Sequence, residues 1–219
     1  MKAIYMLMLK VLSTNVLALV YVSAVFLAIY LGASFQHIVF MSLVVLPFIR
    51  MSLYNMQKRV YIQEVREHGD ELLFAPDMLK ADRELVLGAV KNYRRALHYA
   101  SAVLQGDREI VLEAVKSHGE ALIYASADLK GDYEIVLEAV KSHGEALIHA
   151  SADLKEKREI VLEAVKQNGR ALRYASATLQ GDREIVLDAV KQDWRALEYA
   201  SVELRGDREI VLEAVKQNG

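Results

Sequence analysis

The sequence predicts an all-α protein: an N-terminal transmembrane helical hairpin followed by an α-solenoid of two-helix repeats. Three observations carry this reading. A run of 39 residues, Val11 to Ile49, holds no Asp, Glu, Lys or Arg. Most of the remaining chain repeats itself every 25 residues without an insertion. Within each period the apolar residues recur at helical spacing, and nothing alternates with the period of two that a strand requires.

Composition narrows the function classes. The 219 residues include no Cys, so no disulfide framework exists. With 27 basic and 29 acidic residues the net charge is −2, which gives no broad electrostatic case for nucleic acid. Eleven Gly and two Pro are too few for a low-complexity chain.

Residues 1–53 read as a hydrophobic membrane segment. As one helix the uncharged run would be about 58 Å long, whereas the hydrocarbon core is about 30 Å thick. A break is therefore expected at Gly32-Ala33-Ser34, giving helices at about 11–31 and 35–53. The second reaches a full span only if Arg50 extends to the interface, and Pro47 is tolerable in lipid. Lys2 and Lys10 precede the pair; Arg50, Lys58, Arg59 and Arg66 follow it; the connecting turn carries no Lys or Arg. The positive-inside rule then puts both termini and the repeat array in the cytoplasm. A single span is the alternative. A cleaved signal peptide fits less well, because Lys10 interrupts an apolar stretch longer than the usual one.

The array follows. A degenerate first repeat occupies 54–78, where Val60, Val65, Gly69, Leu72, Phe74 and Ala75 keep the columns of the later copies. Five full repeats and one half repeat fill 79–219. Residues 104–128 and 129–153 differ only at Gln105/Lys130, Arg108/Tyr133 and Tyr124/His149.

Each repeat reads as two helices. In 104–128, Asp107 is a good N-cap and Glu109 sits in the first turn. Ile110, Val111, Ala114 and Val115 share one face, with Leu112 at its edge. One repeat on, Leu137 is expected between layers and Glu138 on the polar face. Lys116 suits the helix end, and Gly119 stops the run. A shorter second helix then carries Ala121, Leu122, Tyr124 and Ala125. One such pair cannot bury its apolar face alone, so neighbours must stack, about 10 Å apart.

The array resembles a microbial repeat family known as domain of unknown function 4116. The run Asp107-Arg108-Glu109-Ile110-Val111-Leu112-Glu113-Ala114-Val115-Lys116 carries the resemblance, with Gly119-Glu120-Ala121-Leu122 and Ala125-Ser126. The pattern returns as Asp182 to Lys191, Ala196-Leu197 and Ala200-Ser201. The resemblance implies a tandem all-α array and supplies no activity and no site residues. Departures are Lys157 for the cap Asp, Tyr133 for Arg, and Arg94 and Trp194 for Gly. The membrane segment lies outside it.

Candidate chemistry is sparse. His118 and His143 share a column with Tyr93, Asn168, Asp193 and Asn218. Those residue types tolerate positive φ, so a backbone turn explains the column better than a metal, which wants three or four ligands. Lysines 91, 116, 141, 166, 191 and 216 form one ladder, and glutamates 84, 109, 134, 159, 184 and 209 another. They read as a solvated face. Ser101, Ser126, Ser151, Ser176 and Ser201 read as small helix-end residues. Tyr99, Tyr124, Tyr174 and Tyr199 read as inter-repeat core with hydroxyls at the rim. No phosphate loop, dinucleotide fingerprint or H-E-x-x-H is present, so no cofactor, metal or catalytic residue is assigned and no enzyme is expected.

The positions that vary most between repeats lie in the second helix and its exit. One column is Arg95, Glu120, Glu145, Arg170, Arg195; the next is His98, Ile123, Ile148, Arg173, Glu198; a third is Val103, Asp128, Asp153, Thr178, Glu203. Variation confined to one side suits a partner-reading surface, although drift on a tolerant surface gives the same pattern. The leading expectation is a membrane-anchored scaffold that meets the bilayer through 1–53 and an unknown protein through these columns, without nucleic acid. A secreted or translocated effector inserting in another membrane is the alternative, and an enzyme with an unrecognised site a remote third. The last half repeat keeps Ile210, Val211, Ala214 and Val215 apolar, so packing of this end is also expected, a second copy being one candidate.

Overall fold

The computed structural model describes Leu43 and residues 46–217. The first predicted span, about 11–31, lies outside these residues, as does most of the second. Among the described residues the chain is helical with no strand, and no helix is long and apolar enough to cross a membrane.

Seven longer helices run in order: α1 (Leu46–Glu67), α2 (Arg83–Asn92), α3 (Arg108–Ser117), α4 (Tyr133–Ser142), α5 (Arg158–Gln167), α6 (Arg183–Gln192) and α7 (Arg208–Gln217). The expected boundary at residue 53 is not a helix end. From Met51 to His68 the chain has neither Gly nor Pro, so α1 continues through it to Glu67. Residues 58–67 thereby fall in the columns of α2. Lys58 reaches Asp82 and Glu84 of the next repeat, each at 2.9 Å, which anchors α1 to the array.

The two-helix expectation needs correction: each repeat has three helical pieces. After α3 comes a six-residue 3₁₀ helix, Gly119–Tyr124, and then a one-turn 3₁₀ helix, Leu129–Gly131. The same order returns as Gly144–His149 with Ala152–Lys155 and as Gly169–Tyr174 with Ala177–Gln180. The split lies at the Ala-Ser dipeptide, where Ala125 is extended at φ −68, ψ 154. Six residues with Ala121 and Leu122 on the core side suit a period of 3.0 as well as one of 3.6, so the sequence alone does not choose.

The longer helices stack side by side in one layer, and the 3₁₀ helices stack in the other. The core lies between them. Ile135, Val136, Ala139 and Val140 of α4 are fully buried, and so is Leu147 of the following 3₁₀ helix. Each such Ile, Val or Leu side chain contributes about 1.5–3 kcal/mol. Leu137 is only half-buried, against expectation, because it sits at the edge of the apolar stripe.

Polar groups lace the layers together. The cap aspartates accept from the backbone N–H of the third helical residue, as in Ile110 N to Asp107 at 3.1 Å and Ile135 N to Asp132 at 3.1 Å. The other oxygen of each receives an arginine from the preceding repeat: Arg83 Nε to Asp107 at 3.0 Å and Arg108 Nε to Asp132 at 3.1 Å. The same guanidiniums also reach Glu109 and Glu134. A backbone bond repeats at every junction as well: Ser126 N to Gln105 O at 3.0 Å, Ser151 N to Lys130 O at 2.9 Å, Ser201 N to Gln180 O at 2.9 Å. The serine column therefore joins adjacent repeats, and Ser101, Ser151, Ser176 and Ser201 also start the one-turn helix.

At α7 the interior pattern loosens. Val136 and Val140 are fully buried, but their counterparts Val211 and Val215 are half-buried and 56% exposed, and Leu212 is 50% exposed.

Candidate functional site

One polar or aromatic column follows each longer helix. Its residues, expected at positive φ, are instead extended: φ is −147 at His118, −148 at His143, −152 at Asn168 and −146 at Asp193. Any residue adopts that backbone, so the turn argument for this column fails. Asn168 and Asp193 serve as caps, accepting from Arg170 N at 3.0 Å and Arg195 N at 2.9 Å.

The glycine next to this column is needed for a different reason. A Cβ at Gly119 would lie 2.2 Å from the Ala139 carbonyl oxygen, and one at Gly144 would lie 2.3 Å from that of Ala164. The 3₁₀ helix thus packs its first backbone atoms directly on the next long helix.

Trp194 fills that column in the last full repeat and keeps the 3₁₀ helix, Trp194–Tyr199, and Arg94 fills it in the first. There the 3₁₀ start is replaced by a turn at Arg94-Arg95 leading into an α-helical turn, Ala96–Tyr99. A cleft of about 350 Å³ opens beside it. Arg94, Arg95, Glu120 and Glu145 supply its charged lining. Ile123 and Ile148 supply apolar floor, 44% and 41% exposed, with Ala146, Tyr124, His149 and Tyr174 around them.

Within the cleft the charges are unevenly matched. Arg94 pairs with Glu120 at 2.7 Å. Glu145 accepts a long hydrogen bond from Asn168 Nδ2 at 3.3 Å and has no ion pair among the described residues. Arg95 has no ion pair there either. Burial is the largest cause that lowers the pKa of His149, with Lys130 and Lys155 adding to it. The imidazole thus favours its neutral form and serves as an aromatic wall. Among the described residues no three His, Asp or Glu side chains converge as a metal site would require.

The model of a family described as domain of unknown function (DUF4116) matches residues 65–105, 107–155, 157–205 and 182–219. The chain belongs to this family. Comparisons with curated proteins and with solved structures gave no match. The DUF4116 match covers the stacked repeats and not the N-terminal segment, and it brings no activity with it.

In this DUF4116 array the variable columns divide into two groups. Arg95, Glu120, Ile123, Glu145 and Ile148 come together in the cleft. His98 lies beside it, its ring 4.8 Å from that of Tyr124. The others do not join. Arg173 lies over its own neighbour Tyr174 at 4.3 Å, Arg195 lies over Trp194 at 5.0 Å, Arg170 is 3.9 Å from Asp193, and Glu198 is exposed. Sequence reasoning overlooked Arg94 as a site residue. Its signal was the loss of glycine from a column where glycine otherwise prevails up to Trp194.

Proposed function

We propose that the protein is a membrane-anchored helical-repeat scaffold that binds another protein through the face carrying the 3₁₀ helices. One observation supports the binding half of this reading above others: five residues from two of the most variable columns line one cleft. Drift alone has no reason to coincide with a concavity, whereas ligand sites are concave. The membrane half rests on the uncharged 39-residue run and its basic flanks, with both termini on the cytoplasmic side.

Two experiments test it. A photo-crosslinking amino acid at Ile123 in the full chain should trap a discrete protein in cells, while one at the exposed Lys166 of the opposite layer should not. Equal labelling from both positions would refute a binding face. Separately, the full chain should stay with membranes after alkaline carbonate extraction, and reporter fusions at residues 8 and 70 should report the same side. Opposite sides would leave a single span, and release by carbonate would remove the anchor.

A further inference from the structure

We propose that the cleft seats an extended peptide segment of the partner, with an acidic side chain at Arg95, an apolar side chain over Ile123 and Ile148, and a basic side chain at Glu145. This assignment rests on the scaffold reading above and adds the chemistry of the occupant.

Charge pairing sets the two ends. Arg94 and Glu120 satisfy each other at 2.7 Å and offer little net field. What remains is one base, Arg95, and one acid, Glu145, neither held in an ion pair among the described residues. A ligand that carries one charge of each sign complements both. Between them Ile123 and Ile148 expose apolar surface that a matching side chain would remove from water.

Spacing sets the conformation. Arg95 and Glu145 occupy one column, two repeats apart, or about 16–20 Å for helices packed 8–10 Å apart. Extended chain covers that span in about five or six residues at 3.3 Å each. A helix, at 1.5 Å per residue, would need about eleven to thirteen residues for the same span. The carboxylates of Glu120 and Glu145 disfavour nucleic acid, whose affinity comes chiefly from its phosphates.

The test pans a displayed library of random nine-residue peptides on the full chain in detergent micelles. Selected peptides should carry Asp or Glu, then an apolar residue, then Lys or Arg, with the charges five or six residues apart. Glu145→Arg and Arg95→Glu should each weaken a selected peptide at least tenfold. Reversing the matching peptide charge should restore binding. Both substitutions use residue types already present in that column, Arg170 and Glu120, so the fold has precedent for them, and unchanged thermal melts would verify it. Absence of any retained peptide, peptides without the charge spacing, or affinities indifferent to both substitutions would overturn the assignment. Crosslinks from Ile123 alongside any of those results would leave the scaffold reading intact and remove this one alone.

Discussion

The Tyr133 hydroxyl donates to the Glu159 carboxylate across a repeat boundary where the other full repeats carry arginine. Arg108, Arg158 and Arg183 each span a cap aspartate and a glutamate of the next repeat. At the Tyr133 boundary the cap aspartate is replaced by Lys157, which makes no side-chain cap. An arginine at 133 would face a lysine where it needs an aspartate. Tyrosine keeps the glutamate contact and brings no charge, so the two departures from the repeat pattern compensate each other.

This relationship predicts strong non-additivity. Lys157→Asp alone should stabilise the array, since a cap aspartate contributes about 1 kcal/mol. Tyr133→Arg alone should destabilise it by placing two cations together. The double variant should exceed the sum of the singles, because it rebuilds the ladder. Denaturant titrations of the four proteins form a cycle, and an additive result would show that Tyr133 and Lys157 are independent.

Gly144→Ala should destabilise by about 1–3 kcal/mol, as overpacking does. The new methyl would meet the Ala164 carbonyl at 2.3 Å, and a helix backbone oxygen cannot swing aside. Gly106→Ala is the control. Its nearest contact would be an ordinary 3.5 Å, so the loss of unfolded-state freedom should make it neutral or up to about 1 kcal/mol more stable. Equal thermal midpoints for the two variants would refute the close-approach account of the glycine column.

These glycines show where the sequence was legible and where it was not. The repeat period, the Asp caps and the apolar stripe through Ile135, Val136, Ala139 and Val140 are local patterns, and the structure keeps them. Gly119 was legible as a helix stop, but its need to be glycine comes from Ala139, twenty residues away. The cleft is likewise non-local. Arg94 was visible as a departure, yet its consequence depends on how the next repeat would have packed. The arginine ladder joins residues 24 and 26 apart, separations that helical periodicity does not address.

Burial orders three neighbouring substitutions on α4. Ile135→Ala removes a side chain that is 0% exposed and should cost about 2–5 kcal/mol. Leu137→Ala, at the half-buried edge, should cost clearly less. Glu138→Ala loses a 2.9 Å pair with the exposed Lys141 and should stay within about 0.5 kcal/mol. Chemical unfolding of each variant measures the order, and a larger effect at 137 than at 135 would reverse the assignment of the stripe.

The last prediction concerns pH. Burial is the main cause that lowers the pKa of His118, and His143 and Arg94 lower it further, against an opposing pull from Glu120. Its Nδ1 is buried with no hydrogen-bond partner. His149 is lowered for the same leading reason. A histidine whose pKa is lower folded than unfolded takes up its proton first in the unfolded chain. Its contribution to stability is therefore complete above the ordinary histidine range, near pH 6.5, and is lost as pH falls through the folded value. The full chain in detergent micelles should lose stability between about pH 7.5 and about pH 5, above the ordinary carboxylate range. His118→Asn places in the column a residue that Asn168 already occupies, does not titrate, and supplies the cap that His118 lacks. The denaturant midpoint of this variant should fall less steeply over that interval. Adding His149→Tyr, the residue found at 124 and 174, should flatten it further. Parallel curves for the wild type and both variants would mean that these two imidazoles do not set the pH dependence.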